Sequence, residues 1–195
     1  MAGDARARLL ELLRVRSFER KRVVLASGRE SDFFIDCKQA VLTAEGHALV
    51  GEVLLGALAS LPACVAVAGV ELGGCPLASA VALTSFARGH PLDAVYVRKD
   101  AKDHGSRRLL EGDSRLGAGA PVALLEDVVT TGGSTLKAAA KLREADRVVV
   151  GVVALVDRLE EGRDAIEREG LPLVAVFSRD DFIPPVTSPA GGKRT

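Results

Sequence analysis

Apolar and polar positions fall in blocks along the chain, and the period within each block predicts an element. Leu9, Leu10, Leu12 and Leu13 form a helical stripe, so residues 5–13 read as a packing helix. Residues 23–36 start extended, break at Ser27-Gly28 and resume through Phe33 and Phe34, the pattern of a hairpin or a pair of short strands. Leu49, Val50, Val53, Leu54 and Leu58 give a helix over 45–61 its apolar side. Short apolar runs at 63–68, 93–97, 122–125, 148–156 and 173–177 read as strands. Helical stretches at 77–86, 135–143 and 161–169 lie between them, the first opened by Pro76. Strand alternating with helix predicts an α/β fold, a mainly parallel sheet with helices on both faces. The tail from Pro184 is turn-rich and is expected to fray.

Length and composition narrow the classes. A chain of 195 residues, 48% hydrophobic, suits one domain over 1–195. Lys+Arg and Asp+Glu are both 26, which leaves no basic excess for nucleic acid, so anion recognition has to be local. Cys37, Cys64 and Cys75 are odd in number and form no CxxC, so buried free thiols in a reducing cytoplasm are expected. Charges interrupt the N-terminal leucines where a signal peptide needs a continuous apolar core, and no run approaches the ~20 apolar residues of a membrane span. A soluble, cytoplasmic protein without membrane or nucleic-acid partners is the expectation.

The chemistry concentrates in VALLEDVVTTGGS, residues 122–134. A buried-type strand delivers Glu126 and Asp127 to an edge, and Val128 and Val129 lead into Thr130, Thr131, Gly132, Gly133 and Ser134 ahead of a helix. Such a turn directs N–H groups and hydroxyls at a phosphate, with the positive end of the helix dipole behind them. Each charge-assisted bond contributes roughly 1.5–3 kcal/mol, so a few of them outweigh a dipole contribution of at most ~2 kcal/mol. No lysine follows the glycines, which excludes the GxxxxGK[ST] nucleotide loop. Acids before a phosphate turn suit a ligand with a phosphate and vicinal hydroxyls, such as a ribose 5-phosphate.

Three other segments carry candidate chemistry. GVELGG at 69–74 is a glycine-rich strand-to-helix turn, a weak signal alone. Arg98, Lys99, Lys102, His104, Arg107 and Arg108 fall within eleven residues, which fits either a solvated loop or an anion clamp. Asp157-Arg158 ends the run 148–156 on the same sheet edge, where Arg158 can pair with Asp157 or a nearby glutamate.

The segment 122–134 resembles the 5-phosphoribosyl 1-diphosphate (PRPP) signature of type I phosphoribosyltransferases. LASGRESDFFID, RKxxKxHG and the DR pair are similar to segments of the orotate phosphoribosyltransferases within that class, in the same order from about Val23 to Phe177. The resemblance implies transfer of the phosphoribosyl group of PRPP to orotate, giving orotidine 5′-monophosphate and pyrophosphate in pyrimidine synthesis. It also implies a small hood over the base site from about residues 1–40. Catalytic and PRPP contacts are implied at Arg98, Lys99, Lys102 and His104. PRPP contacts are further implied at Glu126, Asp127, Val128, Val129, Thr130, Thr131, Gly132, Gly133 and Ser134. Orotate contacts fall to Thr130, Arg158 and Phe34, with Ser27 near the base.

Mg²⁺ is the implied cofactor, held mainly by PRPP and water. The implied assembly is a homodimer in which the RKxxKxHG loop of one subunit closes over its neighbour's site. Some relatives carry lysine where this chain has Ala26, and several where it has Gly73. A purine phosphoribosyltransferase would share the PRPP signature but has less reason for the hood segment and RKxxKxHG. A PRPP-sensing transcriptional regulator would need a basic nucleic-acid face that the charge balance does not supply.

Overall fold

A computed structural model describes residues 2–24, 30–100 and 109–183. Helix α1 (Ala2–Arg16) opens the chain, followed by four two-residue strands: β1 (Phe18–Glu19), β2 (Val23–Val24), β3 (Glu30–Ser31) and β4 (Phe34–Ile35). β2 and β3 form the expected antiparallel hairpin, while β1 pairs with β4, a contact the sequence pattern did not suggest. Next come α2 (Lys38–Val41), α3 (Ala44–Leu58), β5 (Ala66–Val70), α4 (Gly74–Ala87), β6 (Asp93–Val97) and β7 (Leu110–Glu111). The last part holds β8 (Ala120–Val129), α5 (Gly133–Glu144), β9 (Arg147–Asp157), α6 (Gly162–Arg168), β10 (Leu173–Ser178) and α7 (Arg179–Phe182).

Six strands form one sheet in the order β10-β9-β8-β5-β6-β7. All neighbours are parallel except the edge pair β6–β7. Alternation within each strand sends residues to two separate cores. Val67, Ala123, Leu125 and Val153 pack with α1, α3 and α4, while Ala66, Ala68, Leu124 and Val152 pack with α5 and α6. Full burial of a leucine contributes about 1.5–3 kcal/mol, so Leu124 and Leu125, both fully buried, tie the two layers to a single strand.

Local chemistry accounts for the ends. Thr43 Oγ accepts from the Gly46 amide at 3.0 Å and starts α3. A Cβ on Gly51 would stand 2.7 Å from the Ala80 carbonyl, so glycine lets α3 and α4 approach closely. The β5 run lies about three residues later than the pattern at 63–68 suggested, because Gly69 and Val70 still pair with Tyr96 and Val97. α4 likewise begins before Pro76, which falls in the first turn where helical N–H groups lack partners anyway. α2, α7 and β7 are too short to show a period and were not legible in the sequence.

Candidate active site

β5 leads by way of α4 to β6 on one side, and β8 leads by way of α5 to β9 on the other. Their carboxyl ends therefore open a crevice where the winding reverses, the usual ligand position in such sheets. β8 does not stop at Leu125 as expected. Its ladder with β9 continues through Glu126↔Ala154, Val128↔Val156 and Val129↔Asp157, so the acids lie inside a paired strand rather than at a loose end. Pleating then sends them to opposite faces.

Glu126 faces α5. It is 5% exposed and accepts from Ser134 Oγ at 3.0 Å and Thr135 Oγ1 at 2.9 Å. Burial, helped by the neighbouring charge of Asp127, pushes its carboxyl up to about 8 against the pull of those two hydroxyls. Asp127 faces the other layer, where the Cys37 thiol reaches its carbonyl at 3.9 Å and the Val128 amide donates to its Oδ1 at 3.0 Å. Its carboxyl is also raised by burial, with Lys38 the first influence opposing the rise. A Cβ built on Gly73 overlaps the Asp127 carboxylate, so the β5–α4 turn and β8 touch at this residue.

The glycine-rich turn follows directly. Thr130 is half-buried, Thr131, Gly133 and Ser134 are exposed, and Val129 and Gly132 are buried. Gly132 has φ 77°, the left-handed region that favours glycine. The Gly162 amide donates to the Thr130 carbonyl at 2.9 Å and the Arg158 amide to the Val129 carbonyl at 3.0 Å. Those ties fix the turn from behind and leave the unpaired N–H groups of the first turn of α5 for a ligand.

Across a cleft of about 350 Å³ lies the root of the cationic loop. The Arg98 amide donates to the Leu109 carbonyl at 2.9 Å, and its guanidinium stands 3.7 Å from Glu111. Lys99 is exposed, and its amide donates to Glu71 Oε2 at 2.7 Å. Lys141 on α5 donates to the carbonyls of Arg98 and Lys99 at 2.7 and 2.6 Å. Neither Glu71 nor Lys141 was singled out from the sequence. The available signal was the spacing of Ser134, Lys137 and Lys141, which share one face of α5. Lys102, His104 and Ser27 lie outside the described residues.

Arg158 sits where expected, at the end of β9, and its pairing is now explicit. Nε lies 3.2 Å from Glu160 Oε1, while Nη2 donates to Ser31 Oγ at 3.1 Å and to the Phe33 carbonyl at 3.0 Å. Asp157 is instead held by Arg163 at 3.1 Å. A cleft of about 340 Å³ is bounded by Ser31, Asp32, Arg158, Glu160 and Arg179. The two phenylalanines divide as their alternation requires. Phe33 is fully buried against Phe18 and Phe182, and Phe34 is half-exposed with Lys21 Nζ 3.9 Å above its ring.

No cluster of three or more His, Cys, Asp or Glu among the described residues is arranged to hold a metal. The donor set at the crevice, Glu126 tied to hydroxyls and Asp127 against Gly73, fits a cation that arrives with substrate oxygens and water better than a protein-built cage. No helix among the described residues is long and apolar enough to cross a membrane.

Fold and crevice together define a type I phosphoribosyltransferase architecture. No protein-family model matches the chain. A relative from Sorangium cellulosum, named orotate phosphoribosyltransferase, is 73% identical over 182 residues, 93% of this chain and 95% of its own length. Among solved structures, orotate phosphoribosyltransferase of Mycobacterium tuberculosis in complex with Fe(III) dicitrate superimposes with a TM-score of 0.78 at 40% identity, covering 92% of this chain and 99% of that one. The same enzyme in complex with PRPP gives a TM-score of 0.75 at 36% identity, covering 91% and 98%. The chain belongs to the orotate phosphoribosyltransferase family.

Proposed function

We propose that the crevice between β5 and β8 carries out the family's reaction, transfer of the phosphoribosyl group of PRPP to orotate. The observation that carries this reading is the continuous unit of β8, phosphate turn and α5, with the cationic root tied to α5 by Lys141. Thr130 to Ser134 hold the 5′-phosphate with hydroxyls and first-turn N–H groups. Glu126 and Asp127 serve the ribose hydroxyls, since the attacking orotate nitrogen needs only to be unprotonated. Arg158 presents its guanidinium to the orotate carboxylate, and Phe34 stacks on the ring. Thr130 lies beside both substrates.

As the C1–oxygen bond breaks, negative charge grows on the leaving pyrophosphate while the ribose becomes oxocarbenium-like. Arg98, Lys99, Lys102 and His104 supply the opposing charge and, by covering the site, exclude water that would hydrolyse PRPP. Mg²⁺ carried in with PRPP would neutralise part of the diphosphate charge. Orotate consumption at 295 nm should require PRPP and Mg²⁺ together. Faster turnover of adenine, guanine or xanthine would move the assignment to a purine enzyme.

A homodimer with shared sites completes the reading. Leu72, Leu83 and Phe86 are 64%, 68% and 74% exposed. With Ser79 they follow one stripe at i, i+7, i+11 and i+14 leading into and along α4. Tyr96 adjoins it through its hydroxyl contact with Ser79. Exposed apolar surface on this scale suits a second copy. Lys102→Ala and Asp127→Ala proteins should each be nearly inactive. After subunit exchange by random pairing, half the dimers are mixed with one intact site of two, restoring about one quarter of wild-type activity. Absence of recovery, with exchange verified by mass, rejects the shared site. A cytoplasmic location accords with three free cysteines.

A further inference from the structure

The antiparallel pairing of β6 and β7 continues past Val97, where the Arg98 amide donates to the Leu109 carbonyl at 2.9 Å. The next peptide, between Arg98 and Lys99, is held from two other elements. Its N–H donates to Glu71 Oε2 at 2.7 Å, in the turn between β5 and α4. Its carbonyl accepts from Lys141 Nζ at 2.7 Å, on α5. A trans peptide points its N–H and its C=O in opposite directions, so a carboxylate on one side and an ammonium on the other grip a single plane. Lys141 Nζ also donates to the Lys99 carbonyl at 2.6 Å. The backbone on both sides of the Lys99 Cα is thereby fixed, while its side chain stays exposed. Ser134 and Lys141 border the same cleft, with Lys141 about 10 Å further along the axis of α5, away from the glycine-rich turn.

We propose that Lys141 is a positioning residue for the pyrophosphate end of the reaction, acting through Lys99. The proposal rests on the reading that Lys99 supplies charge to the leaving pyrophosphate. Attraction between an ammonium and a diphosphate falls with separation, and a long side chain rooted on a freely turning peptide spreads its charge over many positions. Charge-assisted bonds to two successive carbonyls remove the rotations at that root, so the ammonium meets the developing charge already placed. The site of action also fixes what Lys141 leaves alone. PRPP and orotidine 5′-monophosphate share the 5′-phosphate, which belongs to the turn at the head of α5. A lysine that merely steadied α5 would act on both of them. One that sets Lys99 acts on PRPP and pyrophosphate and spares orotidine 5′-monophosphate.

The test compares full-length wild type, Lys141→Met, Lys141→Arg, Lys99→Ala and the double variant Lys99→Ala/Lys141→Met, assayed in both directions at fixed Mg²⁺. Methionine keeps the helix propensity of lysine, so α5 should fold. Lys141→Met should raise KM for PRPP and for pyrophosphate about tenfold, the scale of one lost charge-assisted bond. KM for orotate and for orotidine 5′-monophosphate should stay as in wild type. Lys141→Arg keeps the charge and the donors and should restore most of the loss. In the Lys99→Ala background, Lys141→Met should add less than about twofold, because the group it positions is gone. Additive tenfold losses overturn the proposal, since Lys141 would then meet the diphosphate itself. Equal rises for pyrophosphate and orotidine 5′-monophosphate also overturn it, by assigning Lys141 to the helix. If Lys99→Ala leaves pyrophosphate kinetics intact, the charge assignment of Lys99 fails and this inference falls with it. Impaired Lys99→Ala beside unaltered Lys141→Met sinks this inference alone.

Discussion

The cradle formed by β8, its glycine turn and α5 and the N-terminal group of short strands are both tied to Arg158, yet they are specified by opposite means. The cradle is contiguous in sequence, and its strand is paired on both sides by β5 and β9. Its turn is closed by backbone bonds to residues just beyond β9. The N-terminal group consists of two-residue strands whose anchors come from far along the chain. Arg158 grips Ser31 and Phe33, Arg179 pairs with Asp32 at 2.8 Å, and Phe33 inserts into the aromatic cluster with Phe182. A region built from sheet register keeps its geometry through many small contacts. A region hung on three or four long-range ties can be redirected by a single change.

The largest effect should come from the deepest of those ties. Phe33→Ala should cost about 3–5 kcal/mol in denaturant unfolding, whereas Phe34→Ala should cost less than about 1 kcal/mol and act on orotate. Equal costs for the two rings would erase the division between anchor and ligand contact. Next, Arg158→Ala should weaken orotate about tenfold or more, as loss of a charge-assisted bond of ~1.5–3 kcal/mol predicts, while PRPP binding by calorimetry changes little. Equal losses for both substrates would show the N-terminal group and the cradle to be one unit.

The last test addresses the cradle through its pH dependence. Glu126 carries a carboxyl raised from 4.5 to about 8 in the fold, so the native state holds a proton the unfolded chain has released. The stability it confers is present in full below about 4.5 and is lost as pH rises through about 8. Glu126→Gln should flatten melting temperature against pH between 5 and 8. Parallel curves for the two proteins would mean Glu126 is ionised already.

The same contrast decides what the sequence disclosed. β8, its glycine turn and α5 were legible because strand, acids, glycines and helix are consecutive and each has a local reason. The direction of the acids was not, since only pairing with β9 reveals that Glu126 and Asp127 point apart. Arg158 was singled out by the resemblance of the DR pair that ends a buried run, but its hold on Phe33 joins residues 125 positions apart and has no local trace. Lys38 lies on a four-residue helix without a measurable period.

The thiols described at the crevice and in the core have a practical bearing on labelling. Burial raises all three cysteines, Cys75 to about 11 and Cys37 well above its ordinary value, although Cys75 lies in the first turn of a helix that would otherwise favour its thiolate. At neutral pH little thiolate is available to a maleimide or a mild oxidant. A single cysteine introduced on the surface should therefore outreact the native three and serve as a reporter dye site, with no need to strip the chain of its own sulfur first.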